Sequence, residues 1–143
     1  MSASPVAAGG YGYFDHEADV GLVGRGATPE EAFASAAAAM FALMTDPAAV
    51  ARRERLEVRF VEHDVELALV RWLNLLLAHA HDRGLVLGAF AVRRLGDRWT
   101  GEAWGERWRE GLERGTDVKG ATLTMLAVRR VPEGWEARCV VDV

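Results

Sequence analysis

Residues 55–77 read RLEVRFVEHDVELALVRWLNLLL, and within this stretch the hydrophobic period changes. From Arg55 to Val61, apolar Leu56, Val58 and Phe60 alternate with charged neighbours, the pattern of a half-buried strand. From Val65 onward, Leu69, Trp72, Leu73 and Leu76 recur at helical spacing, with Asp64 as N-cap and Gly84 as the stop. A strand therefore hands over to an amphipathic helix, and the fold must pack helix on sheet.

Four more strands are predicted towards the C-terminus, at about 85–94, 98–104, 118–130 and 134–142. Gly96-Asp97 and Glu133-Gly134 supply hairpin turns. Towards the N-terminus, TPEE (28–31) marks a helix start. Thr28 caps, Pro29 takes the first helical position and Glu31 completes a capping box. Phe33, Ala37, Met40 and Met44 form its stripe, and small alanines allow close packing on a sheet. This helix is expected to end near Asp46-Pro47, because a residue before proline is pushed out of the α region. Two short strands precede it, Tyr11 to Phe14 and Val20 to Arg25. The order β-β-α-β-α-β-β-β-β predicts an α+β domain: a mixed, largely antiparallel β-sheet packed with two α-helices. Residues 1–10 read as a flexible leader, and 11–143 as one domain.

Composition narrows the function classes. Half of the 143 residues are hydrophobic and 27% are charged, which is ordinary for a globular chain. A net charge of −4 argues against a broad basic face, so no direct nucleic-acid binding is expected. A partner that itself carries RNA is compatible with this. The single cysteine, Cys139, rules out an internal disulfide, fits a reducing cytoplasmic setting, and reads as a small buried apolar residue. No apolar run approaches the roughly 20 residues of a membrane span, and the leader lacks the features of a signal peptide. There is no P-loop, and GRG before the first helix is better explained by capping. His79 and His81 lie two apart on a helix and cannot share a ligand. The tryptophans read as core, except Trp108, an exposed-aromatic candidate in a loop.

The stretch YFDHEADVG (13–21) concentrates Asp15, His16, Glu17 and Asp19. Such acids repel one another unless hydrated or bridged by a hard cation, so a solvated turn and a metal site both remain open. The chain closes on VVDV, with Asp142 and Val143 directly after strand residues. Were this strand to lie beside the N-terminal hairpin, Asp19, Asp142 and the Val143 α-carboxylate could meet around one cation.

In order along the chain, YGYFDHEADVG, GRGATPEEAF, LMTD, VELALVRWLNLLL, WGER, DVKGATL and the terminal VDV resemble the archease family from about residue 11 to 143. That resemblance implies a small α+β protein that is not itself an enzyme. It would activate an RtcB-type tRNA-splicing ligase by promoting GTP- and metal-dependent guanylylation of the ligase. It also implies a divalent-metal site at Asp19, Asp142 and the carboxylate of Val143, with Ca²⁺ foremost and Mg²⁺ or Mn²⁺ sharing the same oxygen ligands. Lys119 would contact the partner or a phosphate, and Asp15, His16 and Glu17 would lie in the outer shell. His16 is expected to fix the turn by a hydrogen bond, with metal ligation as its alternative. The chain departs from the family pattern at Glu17, where threonine is usual, and at Leu123 and Thr124, where tyrosine and histidine are usual. Two other readings of the acids stand beside this one: a metal-dependent hydrolase or phosphotransferase, and a metal-independent chaperone-like module.

Overall fold

The computed structural model describes residues 10–16 and 19–143; the expected leader, apart from Gly10, lies outside them. In chain order the elements are β1 (Tyr11–His16), β2 (Asp19–Gly26), α1 (Pro29–Ala42), a 3-10 turn (Pro47–Ala49), β3 (Glu54–Val61), α2 (Val65–Arg83), β4 (Leu85–Leu95), β5 (Arg98–Arg107), β6 (Gly120–Ala121), β7 (Ala127–Val131) and β8 (Gly134–Asp142). The α+β expectation holds. The strands divide between two sheets, however, and every pairing among the described residues is antiparallel. One sheet runs β1-β2-β8-β6, with β7 also on β8; the other runs β3-β5-β4.

Helix α1 lies at the centre of the molecule. Ala32 to Ala37, together with Ala39, Met40 and Phe41, are all buried, so the helix is covered on every side. Its alanines let backbones approach closely. A Cβ placed on Gly24 of β2 would stand 2.3 Å from the Ala32 carbonyl oxygen and 2.4 Å from the Ala36 nitrogen. The Gly24-Arg25-Gly26 glycines thus serve helix–strand contact. The predicted cap is present: the Thr28 hydroxyl accepts from the Glu31 N–H at 3.1 Å, and Glu31 in turn accepts from Ala27 N–H at 2.7 Å.

The helix ends four residues earlier than the proline suggested. Its last carbonyls are met by a distant segment: Thr116 N–H donates to Leu43 O (2.8 Å) and Gly115 N–H to Met44 O (2.7 Å). The Thr45 hydroxyl donates to Glu113 O at 2.6 Å. Tertiary bonds here satisfy the carbonyls that another turn of helix would have used.

Helix α2 behaves as its period predicts. Asp64 accepts from Glu66 and Leu67 N–H, Gly84 closes the helix at φ 66°, and Leu69, Trp72, Leu73 and Leu76 are buried. The Trp72 indole N–H donates to Phe33 O at 3.0 Å, and Trp99 stacks on Phe33 with centroids 4.9 Å apart. Cys139 is fully buried, as expected.

The expected single strand at 118–130 is corrected to β6 and β7, separated by an arch. Ala121 faces Val141 and Ala127 faces Arg138, so six steps along this segment (121 to 127) answer only three on β8 (141 to 138). The surplus loops out at 122–126, where Met125 adopts φ 55° and Leu123 and Met125 are exposed. The second predicted turn also shifts by one residue. Val131 pairs with Gly134, so the connecting residues are Pro132-Glu133.

Candidate functional site

Strand register builds the site. His16 pairs with Asp19 across β1 and β2, and Val20 pairs with Val141 across β2 and β8. Continuing that second register by one residue sets Asp19 opposite Asp142, while Asp142 itself pairs with Gly120 of β6. Residues directly opposite on neighbouring strands project to the same face, with Cβ atoms about 5 Å apart. His16, Asp19 and Asp142 therefore form one row at the end of the five-stranded sheet. Leu22 and Gly24 alternate onto the α1 side, so the row lies on the face away from that helix.

The predicted residues divide clearly. Asp19 is half-buried, Asp142 is exposed and Val143 is half-buried against the core. Asp15 pairs with Val20, one position along, and so alternates to the opposite face. On that side the Tyr13 hydroxyl donates to Ala39 O at 2.8 Å, and burial, followed by the neighbouring Tyr11, pushes its pKa up to about 12. Glu17 lies outside the described residues. His16 Nδ1 is buried and has no hydrogen-bond partner, so the expected turn-fixing bond is not made through that atom.

Among the described residues no three His, Cys, Asp or Glu side chains gather as a metal cluster. The expected donor set differs in kind: two side-chain carboxylates in one row plus a main-chain carboxylate. Such an all-oxygen set suits a hard divalent cation. The orphaned His16 nitrogen beside it is a polar atom left without its usual satisfaction.

Lys119 is exposed, and its backbone N–H donates to Asp142 O at 2.9 Å, which ties it to the same strand end. What holds this short edge is Asn74 of α2. Its side-chain nitrogen donates to Ala121 O (3.1 Å), and its side-chain oxygen accepts from Ala121 N–H (2.8 Å). The sequence reading missed Asn74. Its signal was a lone amide within the apolar run RWLNLLL.

Trp108 is half-buried rather than an exposed aromatic, because the Arg114 guanidinium lies 4.0 Å from its ring centroid. The buried acids elsewhere are structural. Glu102 accepts from Arg55 at 2.8 Å. Glu106 accepts from Arg109 at 2.7 Å and from Ala51 N–H at 2.6 Å, and these bonds, Arg109 first, hold its carboxyl below the ordinary value of 4.5. No helix among the described residues is long and apolar enough to cross a membrane.

The family model described as the Archease protein family (MTH1598/TM1083) matches residues 11–143. Protein archease of Sulfolobus acidocaldarius is 35% identical over 134 residues, covering 92% of this chain and 96% of its own. Protein archease of Methanosarcina barkeri is 32% identical over 139 residues, with 93% and 95% covered. A solution structure of Methanobacterium thermoautotrophicum protein 1598 superposes with a TM-score of 0.78 at 33% identity, covering 94% of this chain and 99% of that one.

Proposed function

The chain belongs to the Archease family, and we propose that it acts in the cytoplasm as the activating partner of an RtcB-type RNA ligase in tRNA splicing and RNA repair. In this reading it promotes metal- and GTP-dependent guanylylation of the ligase, so that the ligase turns over repeatedly, and is not itself the enzyme. The observation that carries the reading is the register that sets Asp19 opposite Asp142.

Asp19, Asp142 and the main-chain carboxylate of Val143 would hold a divalent cation; Ca²⁺ suits the all-oxygen set, as do Mg²⁺ and Mn²⁺. When bound, the cation supplies positive charge that neutralises phosphate oxygens during nucleotidyl transfer. The chain's own residues do the positioning. Asp19 and Asp142 are fixed by adjacent ladders, and so present their oxygens from a rigid edge. Lys119, anchored through its backbone to Asp142, offers a point charge to a phosphate or to an acid on the ligase. His16 borders the same row from the β1 side, opposite Asp19.

The test is guanylylation of a cognate ligase with and without this protein. Wild-type protein raises the rate, Asp19→Ala and Asp142→Ala lose that gain, and the protein alone turns over no phosphoester. Hydrolysis by the isolated protein would replace this reading with the hydrolase. Undiminished activation by both variants would replace it with the metal-independent module.

A further inference from the structure

A groove of about 910 Å³ lies between α2 and the segment from Trp108 to Lys119. Its two ends are fixed by hydrogen bonds, one backbone and one from a side chain, at opposite ends of one stretch of helix. Trp108 N–H donates to Gly84 O at 3.1 Å, just past the end of α2. Lys119 sits two residues before Ala121, which Asn74 grips ten residues back along the helix. At a rise of 1.5 Å per residue the ends are about 15 Å apart.

The chemistry of the two ends differs. At one, the Arg114 guanidinium carbon lies 4.0 Å from the Trp108 ring centroid, and this cation–π pair offers a surface for a ring. At the other, exposed Lys119 is a compact ammonium of the kind that binds phosphate as a point charge. Between them the wall is apolar, with Leu77 and Leu85. Asp117 is the single acid among the described lining residues, so the groove carries a net positive formal charge on a chain of net charge −4. Gly115 and Thr116, next to Arg114, are tied to Met44 O and Leu43 O, so the groove is built before a ligand arrives.

We propose that this groove binds a nucleoside triphosphate, with the base against Arg114 and Trp108 and the phosphates at Lys119. The volume falls within the roughly 300–1,000 Å³ typical of small-molecule sites. A peptide carboxylate would satisfy either cation, but would leave the Arg114–Trp108 pair without a ring to stack on it. The inference goes beyond the activator reading and is tested on the isolated protein, so neither result decides the other.

The experiment is calorimetric titration of the full chain with ATP and GTP, alongside adenosine and inorganic triphosphate. Saturable binding of at least one nucleotide is expected, with adenosine and triphosphate each weaker than the nucleotide. Arg114→Ala should weaken binding about fivefold and Lys119→Met about tenfold, with unchanged far-ultraviolet circular dichroism in both. Three results would overturn the proposal: no saturation by either nucleotide up to about 1 mM, triphosphate binding as tightly as the nucleotide, or both variants binding like wild type.

Discussion

Replacing Asn74 with leucine should loosen the edge that carries Lys119 while leaving the core intact. The side chain makes two hydrogen bonds to one residue, Ala121 O at 3.1 Å and Ala121 N–H at 2.8 Å. Each such bond contributes a net 0.5–1.5 kcal/mol or so, and losing the amide also strands the donor and acceptor of Ala121. Both residues are only half-buried, so water recovers part of the loss. The expected destabilisation is about 2 kcal/mol, or on the order of 5–8 °C in Tm for a chain of this size. Urea unfolding measures the first quantity. Amide hydrogen exchange locates it, with Ala121 exchanging faster while the α1 amides near Phe33 stay protected. Destabilisation below about 0.5 kcal/mol with unchanged Ala121 exchange would refute the clamp, since that is the lower bound for a single bond.

Gly24→Ala forces a methyl to within 2.3 Å of the α1 backbone and should cost about 1–3 kcal/mol in urea unfolding; Gly88→Ala, whose nearest contact is the Val50 Cβ at the longer distance of 3.0 Å, should cost less. Burial pushes the Cys139 thiol up to about 12, so native protein should resist a thiol reagent at pH 8 and react fully once unfolded. Fast labelling of native protein would contradict that packing. Glu106 is held below its ordinary 4.5 by Arg109 and Ala51 N–H. Because its folded value is depressed, its contribution is present above about pH 4.5 and is lost as pH falls through the folded value. Glu106→Gln should therefore flatten the acid limb of the stability–pH curve, and an unchanged limb would dismiss that role.

Much of this architecture was legible because local rules and tertiary packing agree. Asp64, Thr28 and Gly84 announce helix ends through their own chemistry, and the alternation of Leu56, Val58 and Phe60 fixes which face of β3 is buried. The failures share a cause: a partner far along the chain. Leu43 and Met44 leave the helix because Gly115 and Thr116 take their carbonyls. The 118–130 segment looks continuous in β-propensity, yet β8 offers too few partner positions and the surplus arches out. Asn74 is hidden by the apolar residues around it.

The site was half legible. Asp19 and Asp142 stand 123 positions apart, and only the register of β2 on β8 makes them neighbours. Sequence spacing alone left the acids of the DHEAD stretch open between a wet turn and a cation site. It also grouped Asp15 with Asp19, whereas strand alternation turns Asp15 to the other face.

The central claim is that Asp19 and Asp142 form one divalent-cation site, and calorimetric titration of the isolated protein with Ca²⁺ tests it most directly. The account predicts one saturable site, weakened at least about tenfold by either Asp19→Asn or Asp142→Asn, with no further loss of the same size when both are combined. Ca²⁺ binding of wild-type strength in both single variants would contradict it.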